Sequence, residues 1–175
     1  MLRLQLDRFS SPVGHLFLAH DDEGRLRVLD FDGFDERMHA LLHRHYGEVE
    51  LSERPAPRST TDALNAYFAG EFAALDSVEI ATGGTEFQRA AWKALRTIPP
   101  GQTRSYGAQA AAMGRPKAMR AVGLANGANP IAIVTPCHRV IGADGSLTGF
   151  GGGLGRKRWL LEHEGAIPPR LAEWA

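Results

Sequence analysis

A double glycine, Gly83-Gly84, separates two stretches of opposite charge. Residues 1–84 hold 8 Lys and Arg against 15 Asp and Glu, a balance of −7, whereas residues 85–165 hold 11 against 4, a balance of +7. Adjacent glycines do not propagate a helix or a strand. The chain therefore reads as two parts joined near this point, 1–82 and 83–168, with a tail at 169–175. Its 175 residues, 43% of them hydrophobic, suffice for one generous core or two small ones. A basic half beside an acidic one points to a polyanion as partner of the second half. Uneven solvated surface charge is the plainer alternative.

No apolar run approaches the roughly 18 residues that a membrane span needs, and the start of the chain lacks a signal-peptide core. A cytoplasmic protein without membrane contact is the expectation. Leu2, Leu4 and Leu6 alternate as in a strand, and so do His15–Ala19 and Leu26–Leu29, with a turn at Asp21-Asp22-Glu23-Gly24. Helical spacing follows at 34–46 and at 62–72, the second capped by one of Ser59, Thr60 or Thr61, and 52–57 reads as a loop. Thr85-Glu86-Phe87-Gln88 has the form of a capping box opening a helix that ends at Pro99-Pro100-Gly101. Two short helices about Gly114, the second beginning with Pro116, have the pattern of a helix-turn-helix. An apolar strand at 131–134, a Gly142-Ala143-Asp144-Gly145 turn, a glycine-rich stretch at 149–153 and a last helix over 154–164 complete the reading.

The single cysteine, Cys137, forms no internal disulfide and no multi-thiolate zinc site, so it is either inert packing or chemistry. Pro136 before it turns the chain, and His138 after it is an imidazole able to take the thiol proton directly or through a water. Glu164 is a carboxylate that could orient that imidazole. The pair alone favours a buried structural thiol over a reactive one.

The longer string Ile133-Val134-Thr135-Pro136-Cys137-His138-Arg139-Val140-Ile141 resembles the active-site signature of the O6-alkylguanine-DNA alkyltransferases. The likeness extends over most of residues 85–165, through Ser105-Tyr106-Gly107, the run Arg115–Gly123, Asn129-Pro130 and Trp159–Gly165. It implies an α/β (α+β) fold, an RNase H-like N-terminal domain followed by a winged helix-turn-helix C-terminal domain. It also implies repair of double-stranded alkylated DNA by irreversible, one-use transfer of an alkyl group from O6-alkylguanine to Cys137, and leaves O4-alkylthymine open as a further substrate. The target base is rotated out of the duplex, since its alkylated oxygen is unreachable inside the stack.

Carried over residue by residue, the resemblance makes Arg120 the group that fills the vacated space. Ser105, Tyr106, Lys117, Ala121 and Gly123 are the other DNA contacts. Tyr106 donates to the flipped base, Asn129 braces the turn bearing Cys137, and His138 and Glu164 activate the thiol. The carbonyls of Cys137 and Val140 accept from the guanine amino group, and the Gly151 amide donates to the alkylated oxygen. No cofactor or metal is implied, and the chain acts as a monomer, with cooperative binding along DNA open. Phe150 stands where many members carry tyrosine, and Gly151 replaces a larger residue, which bears on substrate range.

Other features have weaker claims. His39 and His43, four apart on a helix, have a metal-binding spacing without further ligands. Gly149–Gly153 resembles a phosphate loop but lacks its lysine and hydroxyl. Arg156-Lys157-Arg158 could meet DNA phosphates or solvent alike. A DNA-binding module without chemistry and a cysteine hydrolase using Cys137, His138 and Glu164 remain the competing readings.

Overall fold

Alternating apolar residues start a strand that runs further than the alternation itself. In a computed structural model that describes residues 1–169, β1 (Leu2–Ser11) turns back through Pro12-Val13 into β2 (Gly14–Asp21). The expected tail lies, apart from its first residue, outside the described residues. The turn into β3 (Leu26–Phe31) is held by Asp21, whose Oδ1 accepts the amides of Glu23 and Arg25, both at 3.0 Å. The loop expected at 52–57 begins instead as the end of β4 (Val49–Glu53), which pairs parallel with β1 and completes the order β3-β2-β1-β4. β4 buries none of its residues fully; its alternation is only Val49 and Leu51, which pack half-buried against the core of Phe17, Met38 and Leu42, and pairing with β1 makes it a strand.

Because successive strand residues point to opposite faces, β2 serves two layers. Phe17 and Ala19 meet Met38 and Leu42 of α1 (Asp35–Tyr46), while Leu16 and Leu18 meet Leu64 and Tyr67 of α2 (Arg58–Phe68). α2 starts four residues earlier than its spacing suggests and has no side-chain cap. The hydroxyls expected to cap it lie inside its first turn, where Thr60 Oγ1 is 3.0 Å from His20 Nε2 and Thr61 donates back to the Arg58 carbonyl.

In the second half, α3 (Glu86–Leu95) opens with the capping box: Thr85 Oγ1 accepts the Gln88 amide at 3.1 Å and Gln88 Oε1 accepts the Thr85 amide at 3.0 Å. α4 (Tyr106–Ala112) and α5 (Met119–Gly127) follow. Pro116 and Lys117 lie in the turn before α5 rather than in its first turn. Gln109 and Asn126 exchange buried amide hydrogen bonds of 3.0 and 2.8 Å, and Gln109 also donates to the Ala91 carbonyl, which locks α3, α4 and α5 together. β5 (Arg104–Ser105) pairs parallel with β6 (Val140–Ile141), and α6 (Leu154–His163) closes the domain.

The strand expected at 131–134 is absent. Ile131 makes one isolated bridge to Leu29, and the chain then coils, with Ile133 at φ +69°. Leu29 of β3 pairs only at this bridge, donating to the Pro130 carbonyl and accepting the Ala132 amide, and turn bonds take over beyond it, Thr135 to the Ile131 carbonyl and Val134 to that of Ala132. Ile131, Ile133 and Val134 join Leu16, Leu29 and Leu64 in one core that crosses the double glycine.

Candidate active site

Cys137 opens a short 3-10 turn, Cys137–Arg139, at the base of a cleft of about 460 Å³ between the two halves. Asn129 shapes the approach: its Oδ1 accepts the Ile131 amide at 3.0 Å and its Nδ2 donates to the Thr135 carbonyl at 2.8 Å. The left-handed conformation of a buried, β-branched Ile133 between these points is strained by about 1–3 kcal/mol, which the surrounding core must offset.

His138 is completely buried, and its Nε2 lies 2.8 Å from Glu164 Oε2. A carboxylate only accepts, so the proton of the neutral imidazole sits on Nε2 and the lone pair on Nδ1. Among the described residues Nδ1 has no hydrogen-bond partner. Burial pulls the His138 pKa down against the raising influence of Glu164, which keeps the imidazole neutral and able to accept a proton. Burial would raise the Glu164 pKa, but His138 and then Arg139 outweigh it and hold the carboxyl well below its ordinary range. Arg139 grips Glu164 in a fork, Nε to Oε1 at 2.7 Å and Nη2 to Oε2 at 3.0 Å. Burial pushes the Cys137 thiol up, opposed by the Asn129 hydrogen bond and by the charge of Lys157.

Lys157 was grouped by sequence with a run that could meet DNA or solvent. It is fully buried instead, and its Nζ donates to the carbonyls of Val140 at 2.6 Å and Thr148 at 2.8 Å. Desolvation lowers its pKa to about 8, against the raising influence of Cys137. Its neighbour Arg156 is tied to the Val13 carbonyl and Asp32. The Val140 carbonyl, expected to accept from guanine, thus already holds one donor and has one lone pair left.

The structure gathers Tyr106, Gly123, Cys137, Phe150 and Gly151 around the cleft. Tyr106 lends its hydroxyl to the Thr148 carbonyl at 3.2 Å. Ser105 is the N-cap of α4, its Oγ accepting the Ala108 amide at 3.0 Å. Lys117, Arg120 and Ala121 are exposed on the outer side of α5 and its preceding turn, with Leu124. Asn129, His138 and Glu164 lie behind the thiol. A wider cleft of about 550 Å³ beside the start of α6 holds neither the thiol nor its partners.

Three groups of the first half reach this site without any signal in the sequence. Arg37, ion-paired with the buried Asp30, stands at the cleft mouth where any side chain on Gly151 would strike its guanidinium. Phe31 meets Phe150 edge-on at 5.6 Å, and Tyr67 donates to Glu164. His45 at the end of α1 hydrogen-bonds the Ala128 carbonyl at 3.0 Å, while His39 and His43 are exposed. Among the described residues no group of three or more His, Cys, Asp or Glu is placed to hold a metal, and no helix is long and apolar enough to cross a membrane.

A strand-and-helix layer joined to a helix-turn-helix, with a thiol at their junction backed by imidazole and carboxylate, defines a class of DNA-binding thiol protein. Two family models match: the ribonuclease-like domain of 6-O-methylguanine DNA methyltransferase over residues 8–82 and its DNA binding domain over residues 86–166. The chain belongs to the 6-O-methylguanine DNA methyltransferase family. It is 52% identical over 169 residues to the methylated-DNA–protein-cysteine methyltransferase of Salmonella typhimurium, covering 95% of this chain and 99% of the relative. It is 64% identical over 159 residues to that of Mycobacterium tuberculosis, covering 91% of each. The crystal structure of Mycobacterium tuberculosis OGT in complex with DNA superposes with a TM-score of 0.78 and 46% identity, covering 94% of this chain and 93% of that one. The methyltransferase of Pyrococcus kodakaraensis superposes at 0.71 with 28% identity, covering 94% and 99%.

Proposed function

We infer that this chain repairs DNA by moving an alkyl group from the O6 position of guanine onto Cys137. The observation that carries the reading is the arrangement behind the thiol: His138 keeps a buried lone pair on Nδ1 while its Nε2 is fixed on Glu164. The basic half, 83–168, meets double-stranded DNA, and 1–82 supports it from behind. Arg120, exposed near the start of α5, enters the space left by the flipped base. Lys117, Ala121, Gly123 and Ser105 line the backbone and groove. Tyr106 and Phe150 hold the base, and the Gly151 amide meets the alkylated oxygen.

The thiol proton passes to His138 Nδ1, directly or over a water, and the thiolate attacks the alkyl carbon in line. The carbon–O6 bond breaks, its electron pair stays with guanine, and Tyr106 donates the proton that neutralises it. The product is a thioether with no route back to thiol, so each molecule acts once. Lys157, charged beside the thiol, favours the anion before transfer.

The chain acts as a cytoplasmic monomer. Incubation with an O6-methylguanine duplex gives one methyl group on Cys137 by intact mass, exhausted at one equivalent. An unmodified Cys137 sinks the reading, and multiple turnover on an acyl substrate would favour a hydrolase instead. Cys137→Ala abolishes transfer while duplex binding is kept, which separates the reading from a binding module. Parallel duplexes carrying O4-methylthymine, and binding isotherms on long DNA, test the wider substrate and cooperativity.

A further inference from the structure

The network behind Cys137 does not end in the half of the chain that carries the thiol. Tyr67, near the end of α2, is fully buried, and its hydroxyl donates to Glu164 Oε2 at 2.5 Å. The same oxygen accepts His138 Nε2 at 2.8 Å and Arg139 Nη2 at 3.0 Å. A carboxylate oxygen offers about two lone-pair sites, so three donors compete for it. The ring has its own setting, edge-on to Phe68, Phe72 and His163 at 5.1 to 5.7 Å, which packing alone explains. A buried phenol also needs an acceptor, and any backbone carbonyl would serve. Here the acceptor is the carboxylate that orients His138. Burial and then the charge of Glu164 push the Tyr67 hydroxyl far above its ordinary range, so it stays a donor.

We propose that Tyr67 is a positioning residue of the alkyl-transfer network, occupying one site on Glu164 Oε2 and so setting how firmly that carboxylate holds the His138 proton. The inference rests on the alkyl-transfer reading above. Each donor on Oε2 draws negative charge away from His138. With the Tyr67 donor removed, Glu164 holds the imidazole proton more tightly and the imidazolium forms at higher pH. The other charged or titratable groups facing the pair are Arg139 from the 3-10 turn, Lys157 and His163 from α6, and Cys137 itself. Tyr67→Phe leaves all of them in place and keeps the ring.

The test uses the full chain, wild type and Tyr67→Phe, with two measurements across the range in which histidine titrates. One is the His138 imidazole titration by NMR in the unalkylated protein, and the other is the rate of methyl transfer from an O6-methylguanine duplex. The NMR midpoint and the acid limb of the rate profile both move up by about one pH unit in the variant. Placing 3-fluorotyrosine at position 67, a stronger donor of nearly the same shape, moves the NMR midpoint down, and this second variant decides the matter if Tyr67→Phe does not fold. Coincident midpoints in wild type and variant overturn the proposal, whether the rate is unchanged or lowered equally at every pH. A wild-type protein that transfers no methyl group refutes the alkyl-transfer reading instead, and the NMR titration still reports on Tyr67.

Discussion

Replacing Glu164 by glutamine removes one negative charge and introduces an amide where every neighbouring side chain is already a donor. Tyr67 Oη, His138 Nε2, and Arg139 Nε and Nη2 all point at this carboxylate, whose side chain is 0% exposed. The glutamine oxygen keeps some of these bonds, but its NH₂ faces donors, and the Arg139 guanidinium, 7% exposed, retains only its bond to the Ile98 carbonyl. Breaking a buried ion pair by neutralising one partner costs about 3–5 kcal/mol, because the remaining charge stays buried without compensation. Against a total stability of about 5–15 kcal/mol that is a large fraction, and for a chain of this length it lowers Tm by roughly 6–20 °C.

The assay is urea unfolding of wild type and Glu164→Gln in parallel, repeated as a function of pH. The Glu164 pKa is held down in the folded state, so the stability it contributes is fully present above the unfolded value of 4.5 and is lost as pH falls through the lower folded value. The gap between the two proteins therefore holds steady from alkaline pH down to about 5 and closes only below 4.5. A loss smaller than about 1 kcal/mol, the size of an exposed pair, would refute the claim that this carboxylate carries buried charge. So would a gap that closes while the unfolded carboxyl is still ionised.

Asn129→Ala leaves the Ile131 amide without its partner and takes one of two donors from the Thr135 carbonyl, which costs about 1–3 kcal/mol in urea unfolding and slows iodoacetamide labelling of Cys137; unchanged stability and labelling together would clear Asn129 of both roles. Arg120→Ala weakens capture of a lesion in duplex DNA while reaction with free O6-benzylguanine is kept, and an equal loss on both substrates would exclude a part in base flipping. Arg37→Ala widens the cleft mouth and raises benzyl over methyl transfer by about tenfold, as pocket contacts of this size allow; an unaltered ratio shows that Arg37 does not size the substrate. Burial lowers the pKa of His20 and His138, so below 6.5 the unfolded chain binds protons that the folded one does not, and stability falls with pH by up to about 1.4 kcal/mol per unit for each. Unfolding free energies on either side of 6.5 test this, with His20→Gln reducing the slope and a flat profile contradicting it.

Elements with a local cause were legible in the sequence. Thr85 and Gln88 specify the start of α3 between them, and the Asp21–Gly24 turn needs only its own side chain and glycine. β4 was hidden because its residues bury little and its pairing partner lies more than forty positions away. The strand expected at 131–134 failed for the opposite reason: its apolar run is buried, but as a coil that touches β3 only at Leu29 and otherwise closes its backbone bonds on itself and on Asn129. In the site, the adjacency of Cys137 and His138 was plain, while the tautomer that makes His138 useful depends on a carboxylate 26 residues on. Lys157 was misread because its charge was visible and its burial was not.

The charge divide at Gly83-Gly84 does not divide the interior of this protein. Burial follows apolar area, which is indifferent to the sign of the charges outside it. The coil that leads to Cys137 is accordingly seated on Leu16, Leu29 and Leu64 of the acidic half, and the glycine loop beside the thiol lies so close to Phe31 that a side chain at Gly152 would come within 2.5 Å of its ring. A strained residue such as Ile133 persists only where its surroundings determine its conformation from several sides. Here that determination comes from both halves at once. The acidic half thus serves as the wall against which the reactive turn is held.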